Sequence, residues 1–417
     1  MKGPRVAVVG AGMAAARFAE RYGAFGGAGT VTLYGAEAHR PYNRVLLADV
    51  LAGRFAPRDI ALPPGAARVR TGAEVVRLDP AARTLALADG SVHGWDSLVL
   101  ATGANPVLPP IRGVRLPGGA GLAGGVHVLR TLDDCAALAR GVAAARRAVI
   151  VGGGVLGVSA ARALASLGVA VEIVHQGPHL VERHLDADAA AVLARGLARL
   201  GVVSYPGSRA RAVRCGKDGE GDGDGDGRGG EDRVSAVELA CGPGLSCDLV
   251  VLACGARPRT ALAYAAGLGV RRGITVDDAL ATSAPGVYAI GDCAEHDRVL
   301  HGLAAPAWEQ ADVLAARLSG ARPAARYRGS RAPARLAAGP LQYAAFGEVD
   351  EQADPGLDAL RLVDATRDSY RKVLMRGDRL AGAVLVGDMT AVDAIAEAFG
   401  RRGDPAADDP HHLLVPG

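Results

Sequence analysis

Arg5-Val-Ala-Val-Val-Gly-Ala-Gly-Met-Ala-Ala15 and Ala148-Val-Ile-Val-Gly-Gly-Gly-Val-Leu-Gly157 are two readings of one pattern. Each opens with an apolar run that does not alternate, which describes a strand buried on both faces. Each then enters a glycine turn and a helical stretch, to about Arg21 and Leu167, and reaches a second apolar strand at 31–34 or 169–174. One such unit is weak support for a nucleotide-binding domain; two in one chain predict a pair of them.

The neighbouring strands extend the pattern. Residues 92–101 read as a strand ending in Ala101-Thr102-Gly103, 248–255 as one ending in Ala253-Cys254-Gly255, and 287–290 as one ending in Gly291-Asp292. The chain is therefore expected to leave the first domain near residue 117 and return near 256. The expected fold class is α/β: two Rossmann-like three-layer domains, the second inserted in the first, and a small α+β C-terminal domain. The expected boundaries are 1–116 with 257–322, then 117–256, then 323–400, with a flexible tail at 401–417.

The glycine turns imply a chemistry. In Gly10-x-Gly12-x-x-Ala15 the first glycine permits the tight turn, the second admits a pyrophosphate, and the third position needs only a small side chain. Phosphates then meet the unpaired amides of the helix N-terminus. Glu37, just past the next strand, is the candidate acid for an adenosine ribose. Gly152-x-Gly154-x-x-Gly157 is the fuller version, but His175 and Gln176 stand where its acid belongs. An acid there repels a 2′-phosphate; with His175, His179 and Arg183 instead, NADH and NADPH both remain open. Asp292 is a candidate acceptor for a ribityl hydroxyl, and otherwise a turn residue.

Composition narrows the class. Hydrophobic residues make up 49% and aromatic residues only 4%, with 58 glycines, which suits an Ala-rich α/β protein. A net charge of +3 argues against a nucleic-acid binder. The six cysteines show no C-x-x-C or zinc spacing, and unpaired thiols fit a cytoplasmic location. The apolar N-terminus is interrupted by Gly10 and Gly12, so it reads as a strand and not a signal peptide, and no stretch suits a bilayer. Residues 216–232 form an acidic Gly/Asp run expected to be a flexible insertion. Its Asp222, Asp224 and Asp226 resemble a calcium loop, but Arg233 at the twelfth position removes the required ligand, and no metal site is expected.

Taken together these residues resemble the two-dinucleotide-domain flavoprotein reductases, and in particular the N-terminal flavin module of NAD(P)H-nitrite reductase large subunits and the ferredoxin and rubredoxin reductases. The similarity lies in GAGMAAARFAE (10–20), RPYNRVLLADVLAG (40–53), LVLATG (98–103), GDCAEH (291–296), APAWEQA (305–311) and LAGAVLVGD (380–388). It implies that Gly10, Gly12, Ala15, Glu37, Arg44, Thr102, Gly103 and Asp292 bind FAD, with Glu309 and Gln310 near the flavin ring. It also implies that Gly152, Gly154 and Gly157, with His175 and Gly255, serve NADH or NADPH. No side chain is expected to be catalytic in itself, because the flavin carries the hydride chemistry.

Three departures qualify the resemblance. Disulfide-reducing relatives carry a reactive cysteine beside the flavin; Asn43 and its neighbours supply none. Many ferredoxin and rubredoxin reductases pair a Lys where Asp49 stands with a Glu where Ser159 stands. Nitrite reductase large subunits continue into cysteine-rich iron–sulfur and sirohaem regions that this sequence does not contain. The implied activity is transfer from NAD(P)H through FAD to an electron-acceptor protein: a nitrite or nitrate reductase subunit, or alternatively a ferredoxin or rubredoxin. A third reading is a FAD-binding interaction or redox-sensing protein with incidental turnover. A monomer or homodimer without nucleic-acid or membrane partners is expected. The run Arg317, Arg322, Arg326, Arg328, Arg331 and Arg335 is either a dock for an acidic carrier or a solvated connector.

Overall fold

The computed structural model describes residues 3–119, 121–216, 233–339 and 341–400. Residues 217–232 of the acidic run and the 401–417 tail lie outside the described residues. The chain divides into two compact units. One comprises Met1–Leu46, Phe55–Asn105 and Ala256–Ser330; the other comprises Leu47–Arg54, Pro106–Gly255 and Arg331–Gly417.

In the first unit the glycine-turn strand Arg5–Val9 lies mid-sheet, parallel to Thr30–Tyr34 on one side and Ser97–Leu100 on the other. Val287–Ala289 and Arg68–Arg70 complete five strands. Alternation along Arg5–Val9 makes the layers. Val6 and Val8 face helices Met13–Ala24 and Ala304–Leu318 through Phe18, Leu314 and Ala315. Ala7 and Val9 face an antiparallel meander through Leu78, Leu85, Leu87 and Trp95. The bidentate pair of Arg17 with Asp312, at 2.7 and 2.9 Å, ties the two helices together.

The second unit repeats this plan. Arg147–Val151 lies between Ala170–Val174 and Leu249–Leu252, with Val202–Tyr205 and Val126–Val128 outside them. Val149, Val151, Val250 and Leu252 pack on a second meander through Val213, Val234 and Val237. The same unit holds a five-stranded antiparallel sheet, Ala334–Ala338 to Asp358–Asp364, with helix Val392–Gly400 packed on it.

The 92–101 segment departs from the sequence expectation. It is two strands: Val92–Gly94 belongs to the meander and Ser97–Leu100 to the parallel sheet. The break falls at Trp95, fully buried between the two layers, and at Asp96, whose carboxylate accepts from the Arg5 backbone N–H and guanidinium. The two halves differ in burial: Val92–Gly94 is largely exposed and Ser97–Leu100 largely buried, with Asp96 between them.

Since Trp95 plugs the space between sheet and meander, Trp95→Ala is expected to cost roughly 3–5 kcal/mol. Urea denaturation of the two proteins measures this; a change below about 1 kcal/mol would show that the layers close without the indole.

Candidate functional site

The first cradle begins where Arg5–Val9 ends. Gly10 has φ +113°, and a Cβ there would lie 2.2 Å from the Ala101 carbonyl oxygen of the neighbouring strand. Ala15 is fully buried under the turn. Gly12 differs: a Cβ on it would meet only Arg44 Nε, at 3.9 Å. The protein's own packing thus explains the first glycine and the small third residue but not the second, which borders open space. Helix Met13–Ala24 starts at Gly12 with no side-chain cap. Unpaired amides facing room beside a guanidinium fit a pyrophosphate. Glu37 accepts from the Tyr42 hydroxyl at 2.6 Å and pairs with Arg44, so one acid fixes the residue that lies over the turn.

Other parts of the same unit surround the strand ends. Thr102 donates its hydroxyl to the Arg259 carbonyl at 2.8 Å, and the Arg259 N–H donates to Gly103 O at 2.9 Å. Asp292 sits in the single turn Gly291–Cys293. The Gly291 N–H donates to Gln310 Oε1 at 2.7 Å, so the buried Gln310 holds this turn from helix Ala304–Leu318, with half-buried Glu309 beside it. Next to them Tyr327 approaches His301 Nε2 at 3.1 Å and lies edge-on to His296, which faces Asp278 at 3.0 Å. Burial, with Glu309 adding, pushes the Tyr327 phenol up to about 12.

The second cradle repeats the geometry. Gly152 has φ +114° and crowds Ala253 O, and Gly157 leaves no room for a Cβ against Gly152 O, 1.9 Å away. Gly154 has nothing within 4 Å, and helix Val155–Ser166 is likewise uncapped. By contrast, helix Leu132–Val142 carries a full capping box from Thr131 and Asp134, and Ala187–Arg199 is capped by Asp186. Gly255, φ +97°, accepts from the Val107 N–H at 2.9 Å. His175 is buried beneath the turn, where its Nδ1 accepts from the Gly153 N–H.

Asp49, which stands where many ferredoxin and rubredoxin reductases carry a Lys, has a partner that sequence spacing does not indicate. Arg162, one helical turn beyond Ser159, places Nη2 2.5 Å from Asp49 Oδ1, and both residues are buried. Arg54 adds a contact at 3.7 Å. Ser159 is occupied with the Val155 carbonyl. Sequence reading also missed Tyr42, Arg259 and Glu182, which hold Glu37, Thr102-Gly103 and His175. None of these follows a fixed spacing from its partner, which is why the pattern did not signal them.

The cysteines are all unbridged. Burial pushes Cys135 and Cys254 up to about 11 and Cys247 up to about 12, and also raises the fully buried Cys293 between the strand ends. Among the described residues no His, Cys, Asp or Glu group could hold a metal, and no helix is long and apolar enough to cross a membrane.

Comparison with known proteins adds to this geometry. A family model described as pyridine nucleotide-disulphide oxidoreductase matches residues 4–311, and one described as rubredoxin NAD+ reductase C-terminal domain matches 338–402. The chain is 31% identical over 392 residues to a Bacillus subtilis nitrite reductase (NAD(P)H), covering 93% of this chain and 46% of that protein. It is also 31% identical to the assimilatory nitrate reductase electron transfer subunit of Bacillus subtilis, over 86% of this chain and 44% of that one. Among solved structures, a ferredoxin reductase from Rhodopseudomonas palustris superposes with a TM-score of 0.79 at 26% identity, covering 94% of this chain and 93% of that one. The chain spans less than half the length of the nitrite and nitrate reductase relatives.

Two outcomes test this geometry. Arg162→Met leaves Asp49 charged and buried, at an expected cost of roughly 3–5 kcal/mol, whereas Asp49→Leu with Arg162→Met together should recover most of it. Denaturant midpoints of the single and double variants decide, and equal losses would show that the pair is not coupled. Burial lowers the pKa of His127, His184 and His301 below the ordinary 6.5. As pH falls through that value the unfolded chain takes up protons before the folded one. Stability should therefore decline from about pH 7 downward and level off below the depressed folded values. A denaturation midpoint that holds constant from about pH 7 to 5 would contradict the desolvation of these rings.

Proposed function

The chain belongs to the pyridine nucleotide-disulphide oxidoreductase family, whose members are FAD-dependent NAD(P)H oxidoreductases, and on that premise we propose that it is an electron-delivering reductase serving a separate acceptor protein. In this reading FAD occupies the cradle at Gly10, Gly12 and Ala15, with Glu37, Arg44, Thr102, Gly103 and Asp292 along it and Glu309 and Gln310 toward the ring. NADH or NADPH occupies the cradle at Gly152, Gly154 and Gly157. Bound there, FAD would supply the hydride-accepting and single-electron-releasing chemistry that the side chains lack.

The protein's part is positioning. Arg44, fixed by Glu37 and Tyr42, counters pyrophosphate charge over the Gly12 turn. Arg259 and Gln310 immobilise the two turns, Thr102-Gly103 and Gly291-Asp292, that border the same strand ends. Such groups bind and orient; none needs to exchange a proton.

The observation that carries the reading is the condition of the thiols. A disulfide reductase needs a thiolate poised to form. Here all six cysteines are unbridged, no two stand in a C-x-x-C spacing, and burial raises the pKa of four of them, which supports delivery of electrons to a partner over passage through a cysteine pair. The nitrite and nitrate reductase likenesses favour a subunit of nitrate or nitrite assimilation as that partner; the ferredoxin reductase likeness favours a ferredoxin or rubredoxin.

The arginine run offers only part of a docking surface. Arg317 donates to Ala325 O, Arg322 stacks on Phe25, and Arg331 donates to Phe399 O and stacks on its ring. Arg326 and Arg328, exposed on either side of buried Tyr327, are the better candidates.

Stopped-flow mixing with NADH or NADPH should bleach the flavin, and an iron–sulfur or rubredoxin acceptor should restore its colour; a flavin that bleaches only over many minutes would favour the redox-sensing reading. Arg326→Glu with Arg328→Glu should raise the KM for an acidic carrier several-fold, roughly, and leave NADH-to-dye turnover unchanged. An unaltered KM with every carrier would remove the docking role.

A further inference from the structure

In a dinucleotide cradle the residue at the end of the second strand decides which nicotinamide cofactor fits, because a carboxylate there accepts from the ribose 2′-hydroxyl and repels a 2′-phosphate. In the second cradle that residue is His175, and its environment determines what it does. The ring is buried, and its Nδ1 accepts from the Gly153 N–H at 3.1 Å. A nitrogen that accepts from an amide carries no proton, so the ring proton is on Nε2. Nε2 lies 2.6 Å from Glu182 Oε2 and donates to it. The pair thus carries one net negative charge, and Glu182 bears it.

Glu182 is poised to present that charge. Its side chain is 35% exposed where that of His175 is 8% exposed. It lies against Gly177, just past the strand: a Cβ there would come within 2.6 Å of His175 Nε2 and 3.1 Å of the Glu182 carboxyl carbon. The imidazole therefore spans from the turn amide to a carboxylate that arrives seven residues later in the chain. The competing cation on the loop is exposed Arg183; His179 has its Nδ1 3.2 Å from the Leu180 carbonyl.

We propose that His175 and Glu182 together act as the acid of this cradle and make the protein select NADH over NADPH. His175 is the positioning residue and Glu182 the specificity-determining one. The inference rests on the reading of this cradle as the nicotinamide-cofactor site. It decides what the strand end alone leaves open, since a histidine at that place admits either cofactor.

The test is calorimetric titration of the FAD-loaded full chain with ADP-ribose and with 2′-phospho-ADP-ribose, alongside flavin reduction by NADH and NADPH. The unaltered protein should bind ADP-ribose on the order of tenfold more tightly or better, and Glu182→Gln, which keeps the hydrogen bond but not the charge, should erase most of that ratio. A ratio near one, or a preference for the phosphorylated ligand, overturns the proposal on the unaltered protein alone. So does a ratio that Glu182→Gln leaves unchanged. Glu182→Asp, which keeps the charge, should retain the preference, and its loss there would also count against the proposal. Failure to bind either ligand is a different result: it overturns the nicotinamide reading of the cradle, and this assignment with it.

Discussion

Where each glycine-turn strand ends, the carbonyl of the adjacent parallel strand sits where a side chain would otherwise be. Ala101 O does this at Gly10 and Ala253 O at Gly152. The two turns also have positive φ, which only glycine adopts without strain, so two separate reasons exclude a side chain there. The helix that follows each turn starts without a side-chain cap. The same features recur at both turns: uncapped helix starts, open space at Gly12 and Gly154, and small residues beneath.

The second constraint is the treatment of charge in the interior. Asp49 with Arg162 joins the short helix Leu47–Leu51 to the cradle helix Val155–Ser166, and fully buried Lys372 is held by Glu351 and by Asp186, which also caps helix Ala187–Arg199. Such pairs add little net stability, since desolvation offsets much of the attraction, but a misplaced partner leaves a bare charge in the core. They therefore reject alternative packings of the elements they connect. In this pair the acid comes from the short helix and the base from the long one.

The functional reading depends on both constraints. In the proposed reading the cradles supply binding and orientation, and burial disfavours the thiolate at four of the six cysteines. The polar residues around the first cradle are tied to one another and not left to move: Glu37 to Arg44 and Tyr42, Gln310 to the Gly291 turn, Thr102 to Arg259. A cofactor bound there would meet groups already in place, so little ordering entropy would be lost on binding.

The two glycine turns and the parallel strands were legible in the sequence because each is a local pattern: an apolar run, a turn only glycine tolerates, a helix. Local patterns are fixed by backbone sterics and by the period of burial, and both are properties of consecutive residues. The break at Trp95, the partner of Asp49, the inward turn of His175 and its connection to Glu182 were settled only by tertiary structure. Each depends on which side chains meet across elements distant in sequence, and that is decided by packing and by the need to pair every buried polar group, for which no spacing along the chain is prescribed.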